Sequence, residues 1–344
     1  MARIESGLFD LRPRHVFRIA RGAKTATQTV WVKITAGGVT GIGEGSPQAF
    51  YGQTPAGTLR AIRRAAPVLA GDLWQAEGID ALLARRLPQE PSARCAIDLA
   101  LHDWWGKQLG RPVWQLWGLD AKRLPKTSFT LGIAPLDEML MKLEEAREYP
   151  ILKIKLGFPG DHEMMAVLRK AAPKKIFRVD ANCGWDFKTA VATIGKLERL
   201  GVEFIEQPLP AEKLGQMARL KHRVGLPLVA DESCQTGADI ADLRGRFDGI
   251  NIKLTKCGGL REARRMIATA RNCGLRVMVG CMLESSILIT AAAHLGPLVD
   301  WLDVDGNLLV GNDPARGVAC RRGVLTLPGG PGLGVVVTAK GLMK

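Results

Sequence analysis

Tyrosine and histidine are scarce in this chain, with two and five residues among 344. No C-x-x-C pair occurs. The seven cysteines (Cys95, Cys183, Cys234, Cys257, Cys273, Cys281, Cys320) are odd in number and scattered. That argues against a disulfide framework and a structural zinc site, and a reducing cytoplasm suits free thiols. Cys183, Cys234, Cys257 and Cys281 fall near strand ends and so border any site there, but no partner base accompanies them as a nucleophile would need. No run of about 18 apolar residues is present, which argues against a membrane span. The N-terminal stretch LRPRHVFRIARGAK lacks the continuous apolar segment of a secretory signal, and VFRIA reads as a strand. Acidic residues are outnumbered 34 to 48, leaving a net charge of +14. The basic residues are dispersed, and no basic arm or aromatic–basic motif stands out. A nucleic-acid partner is therefore disfavoured against a basic enzyme surface that draws anionic substrates.

What is present suits a sizeable core, since 47% of the residues are hydrophobic. The length fits one large domain or two ordinary ones. VFRIA, TVWVKITA and VTGIGEG read as strands, and the Gly37–Gly38 pair as a tight turn. The G-x-G-x-G of Gly41, Gly43 and Gly45 is not followed by the helix that a dinucleotide fingerprint needs. ARCAIDLALHDWWGKQLG has helical spacing and stops at Gly110, with Pro112 beyond. These elements make residues 1–122 an α+β domain. Short apolar runs then alternate with amphipathic helices: TSFTLGI, ILKIKLG, KIFRVDA, VEFIEQP, PLVADES, GINIKLT, LRVMVGC and DWLDVDG. Met164, Val167, Leu168 and Ala171 give one helix a core face, and Ala263, Met266, Ile267 and Ala270 another, with Arg261, Arg264 and Arg265 outward. Eight alternations with short loops predict a parallel barrel over residues 123–314. That length is lean for the fold, so the eighth helix is expected to be short or missing. Residues 315–344 return to strands and turns and are expected to rejoin the first domain.

In such a barrel the site forms where the strands end. Asp180, Glu206 and Asp231 end three successive runs and offer only oxygen, a donor set for Mg²⁺ or Mn²⁺ rather than zinc. Each alone suits a helix cap or an ion pair, Asp231 an N-cap in particular. Glu232 should point to the other side of the strand, and Asn182 is placed to support the site. Lys153 and Lys155 share a face by period two. Neighbouring buried cations depress one another's pKa, which makes Lys155 a base and Lys153 its helper or the neutraliser of a substrate carboxylate. The alternative is a pair of lysines holding barrel-mouth carboxylates. Lys253 ends the sixth run, across the barrel from the second, and offers an amine on the opposite face. Lys256 is its rival, although a position at a helix start suits packing or solvent contact. Two bases flanking a substrate carboxylate held by a divalent ion suit 1,1-proton transfer. Asp303 and Asp305 share one side of the eighth run. They suit either a substrate ammonium or a loop-capping D-x-D-G turn.

Taken in order, these residues resemble the enolase superfamily, and within it the dipeptide epimerases of the muconate-lactonising subgroup. The resemblance runs through IARGAKT, GIGEGSP and YGQT and the long helix in the first domain. In the barrel it runs through LKIKLG, RVDANCGWD, FIEQPLPA, ADESC, INIKLTKCGG, GCMLESS and DVDG. It implies a modified (β/α)7β barrel with a capping domain built from both termini. It implies metal ligands Asp180, Glu206 and Asp231 for Mg²⁺, with Mn²⁺ as the alternative ion. It implies acid–base residues Lys155 and Lys253 with Lys153 as helper, and Asp303 and Asp305 as the ammonium site. Lysine or histidine bases beside Mg²⁺ are the established pattern of enolase-superfamily sites. The implied reaction is inversion of the second residue of a dipeptide, L-Ala-D/L-Glu-like, through a metal-stabilised enediolate. Capping-domain loops set specificity in the family, which brings in Arg21, Lys24 and Tyr51, with Arg21 or Lys24 facing an acidic side chain. YGQT departs from a more acidic Y-G-E-S loop, and Asn307 stands where Pro is common. N-acyl amino acid racemisation, o-succinylbenzoate synthesis and cycloisomerisation are the alternatives on the same scaffold. Their substrates lack the ammonium that Asp303 and Asp305 would hold. Homo-oligomers are common in the family.

Overall fold

The computed structural model describes residues 2–339. The last residues of the expected C-terminal segment, 340–344, lie outside the described residues. The chain opens with an antiparallel sheet in the order β1 (Arg3–Leu11), β4 (Thr27–Ala36), β5 (Val39–Gly45). Between β1 and β4 a small hairpin, β2 (Phe17–Ile19) and β3 (Gly22–Lys24), leaves the sheet. Helices α1 (Pro55–Ala65), α2 (Ala76–Arg86), α3 (Pro91–Gln108) and α4 (Val113–Leu116) follow. The G-x-G-x-G run has a packing role. A Cβ on Gly41 would stand 2.0 Å from the Ala100 carbonyl oxygen, and one on Gly43 2.0 Å from that of Ala96. Only glycine lets β5 lie this close against α3, which carries the capping-domain core through Ala93, Ala96, Ile97 and Ala100.

Eight parallel strands follow: β6 (Phe129–Leu131), β7 (Ile151–Lys155), β8 (Ile176–Asp180), β9 (Val202–Glu206), β10 (Leu228–Ala230), β11 (Gly249–Ile252), β12 (Arg276–Gly280) and β13 (Trp301–Asp303). They pair in sequence order. A parallel bridge from Thr127 to Leu302 joins the last strand to the first. Each of the eight apolar runs becomes one strand. The helices between them are α5 (Leu136–Glu145), α6 (Asp161–Ala171), α7 (Phe187–Arg199), α8 (Leu214–Lys221), α9 (Ile240–Leu243), α10 (Leu254–Cys257), α11 (Leu260–Asn272) and α12 (Ser286–Ala293). No helix follows β13 among the described residues. Short strands β14 (Ala315–Arg316), β15 (Ala319–Arg321), β16 (Val324–Thr326) and β17 (Val336–Val337) take its place. The tail meets both domains. Gly323 O accepts from Thr127 N at the start of the barrel, and Leu333 N donates to Asp103 of α3.

Strand alternation divides the barrel interior into layers. Phe204, Val229, Met278 and Trp301 form a separate buried cluster, with the Arg178 guanidinium 5.4 Å above the Phe204 ring. Two residues further along the same strands stand Glu206, Asp231, Gly280 and Asp303. An apolar plug thus supports a polar layer. Helix α11 buries the expected Ala263, Met266, Ile267 and Ala270. Helix α6 is turned slightly from expectation. Met165, Leu168 and Ala172 are buried and Val167 is exposed, because this second i, i+3, i+7 set also satisfies helical spacing. Among the described residues no helix is long and apolar enough to cross a membrane.

Candidate active site

The three carboxylates at the ends of β8 and β9 and just after β10 converge. Asp180, Glu206 and Asp231 are buried, and each offers one oxygen within 4.8 Å of the other two. Four ammonium groups surround them. Lys155 Nζ lies 2.6 Å from Asp180 Oδ2, and Lys153 Nζ lies 3.2 Å from the same oxygen and 2.7 Å from Glu206 Oε2. Lys253 and Lys256 each approach Asp231 at 2.7 Å, on opposite carboxylate oxygens. Burial opposes the charge on Asp231, but Lys253 and Lys256 outweigh it and hold its pKa well below the carboxylate range. Burial also opposes the charge on Asp180, and Lys155 and Lys153 depress it likewise. Glu206 is pushed up to about 8, by burial and then by Asp180.

These residues fit a hard divalent ion. The donors are all oxygen, they are buried together, and Glu206 Oε2 has only the Lys153 ammonium beside it, off hydrogen-bond geometry. The carboxylates are also oriented from behind. Asn251 Nδ2 donates to Glu206 Oε1 at 2.8 Å, and Asn182 N donates to Asp180 Oδ1 at 2.9 Å. Such support fixes the rotamers that coordination requires.

Three expectations need correction. Lys153 is not depressed by its neighbour. Burial lowers its pKa, but Asp303, Glu206 and Asp180 raise it well above the usual lysine value, so it is a fixed positive charge. Glu232 does not turn away. β10 ends at Ala230, so strand alternation no longer applies, and Glu232 receives the Arg21 guanidinium at 2.5 Å and faces Asn182. Lys256 is neither a packing nor a solvent residue. It is buried and donates to Asp231 Oδ1, to the Asp231 carbonyl and to the Asn251 carbonyl. With all three donors engaged it cannot serve as a free base.

A cavity of about 420 Å³ lies over the strand ends, between the barrel and the capping domain. Lys155 and Lys253 line it, as do Asp231, Asp303 and Asp305. Asp303 accepts from Ser128 Oγ at 2.5 Å and from Lys153 Nζ at 2.7 Å. Asp305 accepts from Thr130 N at 2.6 Å, and its pKa is pushed up to about 7, by burial and then by Asp303. The capping side supplies Arg21, Lys24 and Tyr51. Arg21 is committed to Glu232 and the Asn182 carbonyl, with Phe50 stacked 4.2 Å away. Lys24 donates to the neutral Gln48 Oε1 at 2.5 Å and pairs with no carboxylate among the described residues. Burial, and then Arg21 and Lys253, lower its pKa. Burial pushes the Cys183 and Cys281 thiols up, so neither is a ready thiolate.

The sequence reading passed over Asn251, Ser128 and Thr130. Each was reachable by period two. Asn251 precedes Lys253 by two, and Ser128 and Thr130 share one face of the first strand.

Comparison with known proteins agrees with this geometry. Residues 4–118 match the family of mandelate racemase / muconate lactonizing enzyme N-terminal domains, and residues 137–341 match the enolase C-terminal domain-like family. An L-Ala-D/L-Glu epimerase of Bacteroides thetaiotaomicron is 42% identical over 95% of this chain and 86% of its own. A dipeptide epimerase of Methylococcus capsulatus, solved with Mg and L-Arg-D-Lys, superposes with a TM-score of 0.91 at 33% identity. That alignment covers 97% of this chain and 99% of the other. The substrate-liganded L-Ala-D/L-Glu epimerase of Bacillus subtilis gives 0.94 at 31% identity over 98% and 99%.

Proposed function

Because the chain belongs to the mandelate racemase / muconate lactonizing enzyme family of enolase-like proteins, we propose that its site works as a dipeptide epimerase centre, with Lys155 and Lys253 as the exchanging acid and base. The enzyme is an isomerase that uses Mg²⁺. One observation carries the assignment of roles: two lysines from the second and sixth strands line one cavity, with the carboxylate triad between them.

The chemistry follows from placement. Asp180, Glu206 and Asp231 would hold the ion. When bound, it supplies Lewis-acid stabilisation of the charge that develops as the α-proton leaves. Lys153 adds a fixed positive charge beneath the carboxylates. Asp303 and Asp305 anchor the ammonium of the first residue, which fixes the α-carbon of the second between the two amines. One lysine, in its neutral form, takes the proton from one face, and the other, as ammonium, delivers a proton to the opposite face. The roles reverse for the reverse reaction. Burial lowers the Lys253 pKa, but Asp231 and Glu206 raise it above the usual lysine value, so its neutral form would depend on the ion drawing on the charge of those carboxylates. Such positioning converts a difficult proton abstraction into an intramolecular step.

Lys24 is the residue that selects the second side chain. Its amine is the cation on the capping wall without a carboxylate partner, whereas Arg21 is neutralised by Glu232. An acidic second residue completes that charge, so L-Ala-L-Glu and its L,D epimer are the preferred pair. A cycloisomerase or N-acyl amino acid racemase would leave the buried Asp303–Asp305 pair without a cation from the substrate. The compartment we assign is the reducing cytoplasm, where seven free thiols are stable.

The test is proton NMR with Mg²⁺ and a small library of L,L-dipeptides in D₂O. Loss of the second residue's α-proton signal with appearance of the L,D isomer, fastest for acidic second residues, is the expected result. A site that exchanges N-acyl amino acids and no dipeptide would overturn the assignment.

A further inference from the structure

Lys155 and Lys253 are not held alike. Lys155 ends β7, and its support comes from flanking barrel strands. Lys253 stands one residue past β11, as the N-cap of the four-residue helix α10, whose position is set by the capping domain. The centre of that contact is Thr255, which is buried. Its hydroxyl oxygen accepts from Ser46 N at 2.9 Å, lies 3.1 Å from the Ser46 carbonyl as donor, and meets Ser92 Oγ at 2.8 Å. Behind α10, the Asp98 carboxylate of α3 accepts from Leu260 N at 2.6 Å. A Cβ on Gly259 would stand 2.4 Å from that carboxylate, so the turn between α10 and α11 packs directly on α3.

The same network continues outward to the substrate cavity. Gln48 Nε2 donates to the Ser46 carbonyl and hydroxyl, each at 3.1 Å, and Gln48 Oε1 accepts from Lys24. A continuous hydrogen-bonded path therefore runs Lys24–Gln48–Ser46–Thr255, and Thr255 is two residues from Lys253. Lys155 is reached from the capping wall by a different route that does not pass through Thr255: Arg21 donates to the Asn182 carbonyl, Asn182 N donates to Asp180, and Asp180 accepts from the Lys155 amine.

We propose that Thr255 is a positioning residue for Lys253: it ties the proton-transfer group on one face of the substrate to the Lys24 side of the capping-domain wall, which reads the substrate's side chain. The proposal rests on the two-lysine reading above. It predicts that loss of the Thr255 hydroxyl damages proton transfer on one face only. Epimerisation rates cannot show this, because the equilibrium constant binds the forward and reverse rates together. Exchange of the α-proton without inversion can, because each epimer is deprotonated by its own lysine.

The experiment measures α-proton loss in D₂O with Mg²⁺, separately for L-Ala-L-Glu and L-Ala-D-Glu. Lys253→Ala first identifies the epimer that Lys253 deprotonates, by the loss of its exchange. In Thr255→Val, exchange from that epimer is expected to fall about tenfold or more, since a displacement near 1 Å can cost up to about 10²-fold. Exchange from the other epimer is expected to stay within about twofold of the unmodified enzyme. The two rates come from one sample, so the folded fraction cancels in their ratio. Thr255→Ser is expected to restore the ratio. An equal fall in both epimers would reduce Thr255 to a structural residue, and no change in the ratio would remove its role; either overturns the proposal. Should Thr255→Val fail to accumulate, Ser92→Ala removes the Ser92 hydroxyl, which meets the Thr255 hydroxyl at 2.8 Å and the Thr255 carbonyl at 3.4 Å, and must move the same ratio in the same direction, an unchanged ratio again overturning it. If Lys253→Ala spares exchange in both epimers, it is the two-lysine reading that fails, a different outcome from the Thr255 results.

Discussion

Replacing Lys24 with Met removes the unpaired cation of the capping wall while keeping an unbranched chain of similar length. A charge-assisted hydrogen bond to a substrate carboxylate contributes about 1.5–3 kcal/mol. The Lys24 side chain is exposed at the rim of the cavity while its amine turns inward to Gln48, so solvent screens such a pair in part and the low end applies. At about 1.4 kcal/mol per tenfold, kcat/KM for L-Ala-L-Glu should fall about ten- to thirtyfold. L-Ala-L-Gln, nearly isosteric but uncharged, should change less than about threefold. The assay is initial epimerisation rate for both substrates under limiting concentration with saturating Mg²⁺. The reasoning depends on the difference between them. An equal fall for both would show that Lys24 orders the β2–β3 hairpin through Gln48 and does not read charge, and the acidic-substrate assignment would go with it.

Three further outcomes follow from buried groups. Asp305 titrates near 7, so below that pH it is neutral and loses its attraction for the substrate ammonium. The kcat/KM for dipeptides should decline as pH falls through about 7, and Asp305→Asn should give a lower and flatter profile in this range. Glu284 has both carboxylate oxygens buried without hydrogen-bond partners among the described residues, and its pKa is pushed up to about 8 by burial and then by Glu44. A carboxyl raised in the fold costs stability once pH exceeds its unfolded value, and the loss grows until pH passes the folded one. Glu284→Gln should therefore raise Tm at pH 8.5 and leave it nearly unchanged at pH 4.5; equal shifts at both would refute the linkage. Gly43→Ala drives a Cβ to 2.0 Å from the Ala96 carbonyl, and denaturant unfolding should show a loss of about 1–3 kcal/mol.

The barrel was readable because parallel strands buried on both faces leave uninterrupted apolar runs, and because six of the eight runs ended in a charged residue where barrel sites form. Period two then brought Lys153 and Lys155, or Asp303 and Asp305, to one side without reference to any neighbour. The same rule failed two residues past a strand. Glu232 lies beyond β10 and turns back to Arg21, a contact 211 positions apart in sequence that no local pattern encodes. Lys256 was misread for a similar reason. Helix α10 is only four residues long, too short for a periodicity to show which side is buried. The three glycines of β5 carried a real signal whose meaning was tertiary, since only the packed α3 helix shows why a side chain is excluded there. The choice between Arg21 and Lys24 likewise needed the structure, because it turns on which cation already has a carboxylate.

The central claim is that two lysines act on opposite faces of one α-carbon. Isotope exchange in Lys155→Ala and Lys253→Ala tests it most directly, with each epimer of Ala-Glu incubated separately in D₂O and Mg²⁺. Each variant should lose epimerisation by at least about 10²-fold, keep α-proton exchange in one epimer, and lose it in the other, with the two variants showing opposite preferences. Exchange surviving in both epimers of either variant, or both variants sparing the same epimer, would contradict the account.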